Sequence, residues 1–209
     1  MNPSGRDNLF SGGGPQQYVM LLAHPPYNEE WERRHQSALQ DAQRLAAVAK
    51  LCDWEAFPLT MEAPTTFQVV ITPEETLMIF DRGAVRHIHT DGRSHPGKDD
   101  LWPTSTGHSI GHWEKDELVI DTIALTPGPV APGPSANLSE KAHFTERLRM
   151  IDKDTLEDRM SIEDPLRFTK PWEVIIRYSR VVGLDRLIDY DCENDRNPVV
   201  DGKLIVTPP

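Results

Sequence analysis

Two cysteines among 209 residues are too few for a disulfide framework, and neither Cys-x-x-Cys nor His-Glu-x-x-His occurs, so the spaced metal signatures are missing. No apolar run approaches the roughly 20 residues of a membrane-spanning helix. Lysine and arginine never cluster, and a formal charge of -11 repels a phosphate backbone. Neither nucleic acid nor a membrane is therefore expected as a partner. There is no Gly-x-Ser-x-Gly turn for a hydrolase nucleophile and no glycine loop to cradle phosphates, so no cofactor is expected. The first residues lack a basic stretch followed by a long apolar one. A cytoplasmic location is the resulting expectation, with Cys52 and Cys192 as free thiols.

What the chain does have is alternation. Thr106 to Thr122 reads as a β-hairpin turning at Lys115-Asp116, with Trp113 opposite Leu118, His112 opposite Val119 and Ile110 opposite Asp121. Side chains alternate at period two. One face collects Ser109, Gly111, Trp113, Leu118, Ile120 and Thr122, and the other His108, Ile110, His112, Val119, Asp121 and Ile123. The second face mixes aliphatics with imidazoles and a carboxylate, the composition of a cavity wall, and it is expected to face an enclosed interior.

Residues 1 to 17 are rich in Gly, Pro, Ser and Gln and predict a flexible arm, leaving 18–209 as a single domain. Asn28 caps a helix expected over about 29–51, whose stripe of Trp31, His35, Ala38, Leu39, Ala42 and Leu45 recurs at helical spacing. Strands are expected over 67–72, 76–82 and 85–90, then the central hairpin, then 141–150, 155–163, 172–182 and 187–191. A stiff proline-rich rim is expected over 126–134. These elements predict a mainly β fold, an antiparallel lipocalin-like (calycin) barrel of about eight strands in meander order with one N-terminal helix.

The second hairpin places Glu146 on an apolar face with Ala142, Phe144, Leu148, Leu156, Asp158, Met160 and Ile162, while His143 falls on the opposite face. A buried Glu is a usable acid or base near neutral pH, although an ion pair with Arg177 or Arg180 is the plainer role. Arg93 and His95 sit at a strand end, where arginine offers a fork for a carboxylate. His89, His108 and His112 are conceivable metal ligands on adjacent strands, but their spacing is not diagnostic and no metal is expected. Trp172 and Tyr190 are candidate walls for a planar ligand, with core packing as the commoner job.

The segments His89 to Pro96, Gly107 to Thr122, His143 to Arg147, Glu163 to Pro165, Thr169 to Trp172 and Asp191 to Asn194 together resemble, in order, the motifs of a large family of bacterial proteins, most without an assigned activity. The likeness covers roughly 26–195. A fainter similarity is to cofactor-free decarboxylases of lignin-derived aromatic dimers, and by fold to lipocalin-like phenolic acid decarboxylases. The resemblance implies a cofactor-independent lyase that decarboxylates a small aromatic acid. His108, His112, Asp121 and Glu146 would serve as acids and bases, with His89, Arg93, Trp172 and Tyr190 against the substrate. A non-catalytic carrier of an apolar molecule, or a hydratase or isomerase using the same groups, stays open, as does a homodimer.

Overall fold

The computed structural model describes residues 8–12, 24–40, 57–62, 66–81, 83–130, 136–184, 186–188, 199–200 and 203–204. Nine strands close into a barrel: β1 (Leu9–Ser11), β2 (Thr66–Ile71), β3 (Glu75–Phe80), β4 (Val85–His89), β5 (His108–Glu114), β6 (Glu117–Ile123), β9 (His143–Met150), β10 (Thr155–Glu163) and β11 (Trp172–Arg180). Two-residue ladders join β7 (Gly128–Pro129) to β8 (Asn137–Leu138), and β12 (Val199–Val200) to β13 (Lys203–Leu204). Around the barrel the order is β1, β11, β10, β9, β6, β5, β4, β3, β2, with β2 back against β1. The lipocalin-like barrel is thus present, with one strand more than the expected eight.

The additional strand comes from the stretch expected to be an arm. Leu9–Ser11 is short, but its apolar Leu9 and Phe10 are buried, and it pairs with both β2 and β11 to close the sheet. Closure removes the exposed edges that β2 and β11 would otherwise present. The meander has one interruption, because β4 and β5 run parallel over two residue pairs, Ile88 with Ser109 and His89 with Ile110. The long connection 90–107 makes that crossing possible, since parallel neighbours need a dozen or more linking residues.

The hairpin registers follow the alternation. Trp113 pairs with Leu118, His112 with Val119 and Ile110 with Asp121, and Lys115 takes the positive φ of the turn at 61°. Inward residues form the core: Phe67, Met78 and Ile88 from one side, Leu118, Phe144, Leu148, Met160 and Tyr178 from the other, all at or below 1% exposure. Residues 57–62, expected as part of a connector, instead fill the barrel. α2 (Leu59–Glu62) is buried throughout, the Phe57 ring meets Phe144 at 4.9 Å between centroids, and the Tyr178 hydroxyl donates to the Met61 carbonyl at 2.7 Å.

α1 (Glu29–Leu39) starts where expected, with the Asn28 side chain accepting from Trp31 N at 3.1 Å. None of its residues is fully buried. The guanidinium groups of Arg34 and Arg167 both stack on Trp31, at 4.6 and 4.0 Å from its ring centroid. The rest of the expected helix, 41–51, lies outside the described residues, as do Cys52, Tyr190 and Cys192. Of the expected strand 187–191, residues 187–188 are not in a strand and 189–191 lie outside the described residues.

Gly111 on β5 has no room for a side chain. A Cβ there would lie 2.9 Å from the Ile88 side chain and 3.1 Å from the Val119 carbonyl. Gly111→Ala is expected to lower the unfolding free energy by about 1–3 kcal/mol, the usual cost of overpacking, as measured by urea titration.

Candidate active site

The pleat points the mixed face of the central hairpin outward. Ser109, Gly111, Leu118, Ile120 and Thr122 are buried, whereas His108, Ile110, Val119, Asp121 and Ile123 are half-exposed and His112 is exposed. The expectation that His108, His112 and Asp121 line the interior is therefore corrected. Both faces carry aliphatics, and the small and hydroxylated residues belong to the inner one.

The outward residues nevertheless form a site, because the connection 90–107 brings His95 down onto them. His95 Nδ1 lies 2.8 Å from His108 Nδ1, and His95 Nε2 lies 2.8 Å from Asp121 Oδ1. The other Asp121 oxygen meets His143 Nε2 at 2.8 Å. His89 stands beside His108, with ring centroids 5.4 Å apart. Only one assignment of hydrogens among neutral imidazoles satisfies these contacts. Asp121 is an acceptor, so His95 Nε2 and His143 Nε2 donate to it. His95 Nδ1 is then an acceptor, and His108 Nδ1 must donate to it. His108 is left with the Nε2 lone pair, the position of a base.

Burial, then the neighbouring His95 and His89, pushes the His108 pKa below its ordinary value, and burial followed by Arg93 does the same for His89. Both rings are therefore neutral at pH 7 and able to accept a proton. A cleft of about 380 Å³ opens on the same face, walled by Ile110 and Val119 with Arg93, His112, Asp121 and Thr145 at its edges. Arg93 grips Asp91 through Nε and Nη2, holding that carboxyl at about 2, and among the described residues nothing takes the N–H groups of Nη1. Among the described residues no three side chains converge on a point that a metal ion would occupy.

Glu146 lies on the other side of the sheet, fully buried as expected, but its partner is neither Arg177 nor Arg180. Arg86 Nη1 donates to Glu146 Oε1 at 2.9 Å, and Nη2 donates to Oε2. The same Nη2 reaches Thr122 Oγ1 at 2.8 Å and Ser109 Oγ at 3.3 Å, and the guanidinium lies 4.0 Å over the Phe57 ring. Arg177 pairs instead with Glu157, and Arg180 with Asp154. Asp158 completes the cluster. No donor reaches either of its oxygens, and burial with the adjacent Glu146 charge raises its pKa far above the ordinary value. Burial beside the Glu146 charge thus favours the protonated, neutral form of Asp158.

Of the residues expected at one site, His89, Arg93, His108 and Asp121 come together. His112 lines the same cleft but bonds to Glu114 rather than to the relay, and Trp172 packs on Phe168 in the core. His95 and His143 complete the outer cluster. His95 is expected at a strand end beside Arg93, and His143 on the face opposite Glu146, so neither is expected with His108 and Asp121. Arg86 was missed, although its alternation with Ile88 puts it on the inner face. Comparison with family models, with curated proteins and with solved structures yields no match to this chain.

Removing one partner of a buried ion pair strands the other. Arg86→Met is expected to cost about 3–5 kcal/mol in urea unfolding, and Arg86→Met/Glu146→Leu distinctly less, since an apolar pair strands no charge. Asp158 gives a pH signature. Its folded pKa is raised, so its contribution is complete below the unfolded value of about 4 and is lost as pH rises from there towards the folded value. Asp158→Asn is expected to gain on the wild type between pH 4 and 7, by at most about 1.4 kcal/mol per pH unit.

Proposed function

We propose that the protein is a cofactor-independent lyase acting by general acid and base catalysis on its outer face, decarboxylating a small aromatic carboxylic acid. The reading rests on one observation, the unbroken chain from His108 through His95 to Asp121, closed on its far side by His143. A proton accepted at His108 Nε2 is matched by transfer of the Nδ1 proton to His95, and the imidazolium formed there sits against the Asp121 carboxylate. The charge thus ends on a pre-placed counter-ion.

For a hydroxylated aromatic acid, His108 takes the phenolic proton and Arg93 Nη1 orients the carboxylate. The phenolate electrons push through the conjugated system so that the stored proton adds to the carbon bearing the carboxylate, giving a quinone methide. The carbon–carbon bond then breaks to release carbon dioxide, its electron pair returns to the oxygen as phenolate, and the phenolate takes a proton from water. The apolar wall of Ile110 and Val119 suits the ring. A carrier is disfavoured, because the barrel centre is crossed by the Arg86–Glu146 pair and filled by residues 57–62. The openness of the site, with Asp121 at 40% and His143 at 38% exposure, favours as second reading a hydratase in which the same relay activates water.

The test is incubation with a panel of phenolic acids, without added cofactor, while carbon dioxide is measured. His108→Ala should lose about 100-fold or more in turnover with substrate binding kept. Because the working form of His108 is neutral and its pKa is lowered, activity should persist below pH 6.5 and fall only in more acid solution. An inert panel, or a His108→Ala variant with wild-type turnover, would remove decarboxylation at this relay.

A further inference from the structure

The interior cluster and the outer relay occupy opposite faces of the same four strands. Arg86 is on β4 with His89, and Ser109 on β5 directly follows His108. Thr122 on β6 directly follows Asp121, and Glu146 on β9 lies three residues beyond His143, hence on the opposite face. We propose that Arg86, gripping Glu146, Thr122 and Ser109 from inside, is a positioning residue that sets the places of His108, Asp121 and His143 on the outside.

The backbone alone holds this region loosely. β4 and β5 share two residue pairs, against seven between β5 and β6, and a parallel ladder is the weaker kind. The connection that carries His95 leaves from the end of β4 and returns at the start of β5, so any slide between these strands moves His95 against both His108 and Asp121. One guanidinium nitrogen bonded to Thr122 and Ser109, whose hydroxyls are themselves 2.8 Å apart, removes that freedom. Neighbouring residues on a strand face opposite sides, so holding Ser109 and Thr122 within the barrel holds His108 and Asp121 outside it. The side chains doing the holding are at most 2% exposed, and substrate on the outer face never touches them.

The functional part of this inference rests on the reaction proposed above, whereas its geometric part does not, and two readouts separate them. In Thr122→Val, which keeps the ion pair, and in Arg86→Met/Glu146→Leu, the imidazole ¹⁵N resonances of His95, His108 and His143 are recorded alongside turnover. The expected result is loss of the hydrogen-bonded N–H signals of His95 and His143, with kcat down about 10- to 100-fold and KM nearly unchanged. Thr122→Ser, which keeps the hydroxyl, should match the wild type in both. Should the double variant fail to fold, Thr122→Val decides. Wild-type imidazole spectra in Thr122→Val would overturn the clamp. Altered spectra in a protein inert towards every phenolic acid would uphold it while rejecting the decarboxylase.

Discussion

A guanidinium enclosed in the middle of a barrel is the constraint to which the other parts conform. Moving such a charge out of water costs several kcal/mol even after relaxation, and it is tolerated only with strong compensation. Arg86 has a carboxylate gripped by two nitrogens, two hydroxyls and an aromatic face, while its Nε meets no acceptor among the described residues. Each partner comes from a different segment, so satisfying this one group defines where β5, β6, β9 and the buried 57–62 segment must lie. A hydrophobic centre would bind the strands as firmly with far less regard for their relative placement.

The same strands therefore have two unlike surfaces. The inner one is dry and holds one more proton than its carboxyl groups would keep in water, since Asp158 remains neutral beside Glu146. The outer one is half-wet and carries imidazoles whose hydrogens are ordered by a single carboxylate. Proton chemistry with small molecules needs access, which the outer surface has. It also needs groups fixed to within a fraction of an ångström, which an exposed sheet does not offer unless something behind it is rigid.

Much of the barrel was legible from alternation. Period-two patterning identified both long hairpins, their turns and the residue pairs of the first, because the side-chain repeat of a strand is insensitive to what surrounds it. Which face turns inward was not legible for the central hairpin. Leu118 and Ile120 on one side and Val119 and Ile123 on the other have similar hydrophobicity, and the choice depends on strands distant in sequence. For the second hairpin, Phe144, Leu148, Met160 and Ile162 left no such ambiguity, and Glu146 was placed correctly inside. Arg86 escaped notice because a single arginine between valine and histidine on a five-residue strand carries no local sign of burial. His95 escaped the site because its contacts are made by a loop folding back, and loop paths leave little trace in a pattern of hydrophobicity.

The seam between β1 and β11 joins Phe10 to Arg180 and Ser11 to Ser179. A chain leaving the ribosome makes the second of these strands only some 170 residues after the first. The nascent sheet must therefore carry two open edges through most of its synthesis. Contacts of such high sequence separation belong to slow-folding topologies, and the brevity of β1 is then a safeguard: three residues offer a stray strand little to pair with while the barrel waits to be completed.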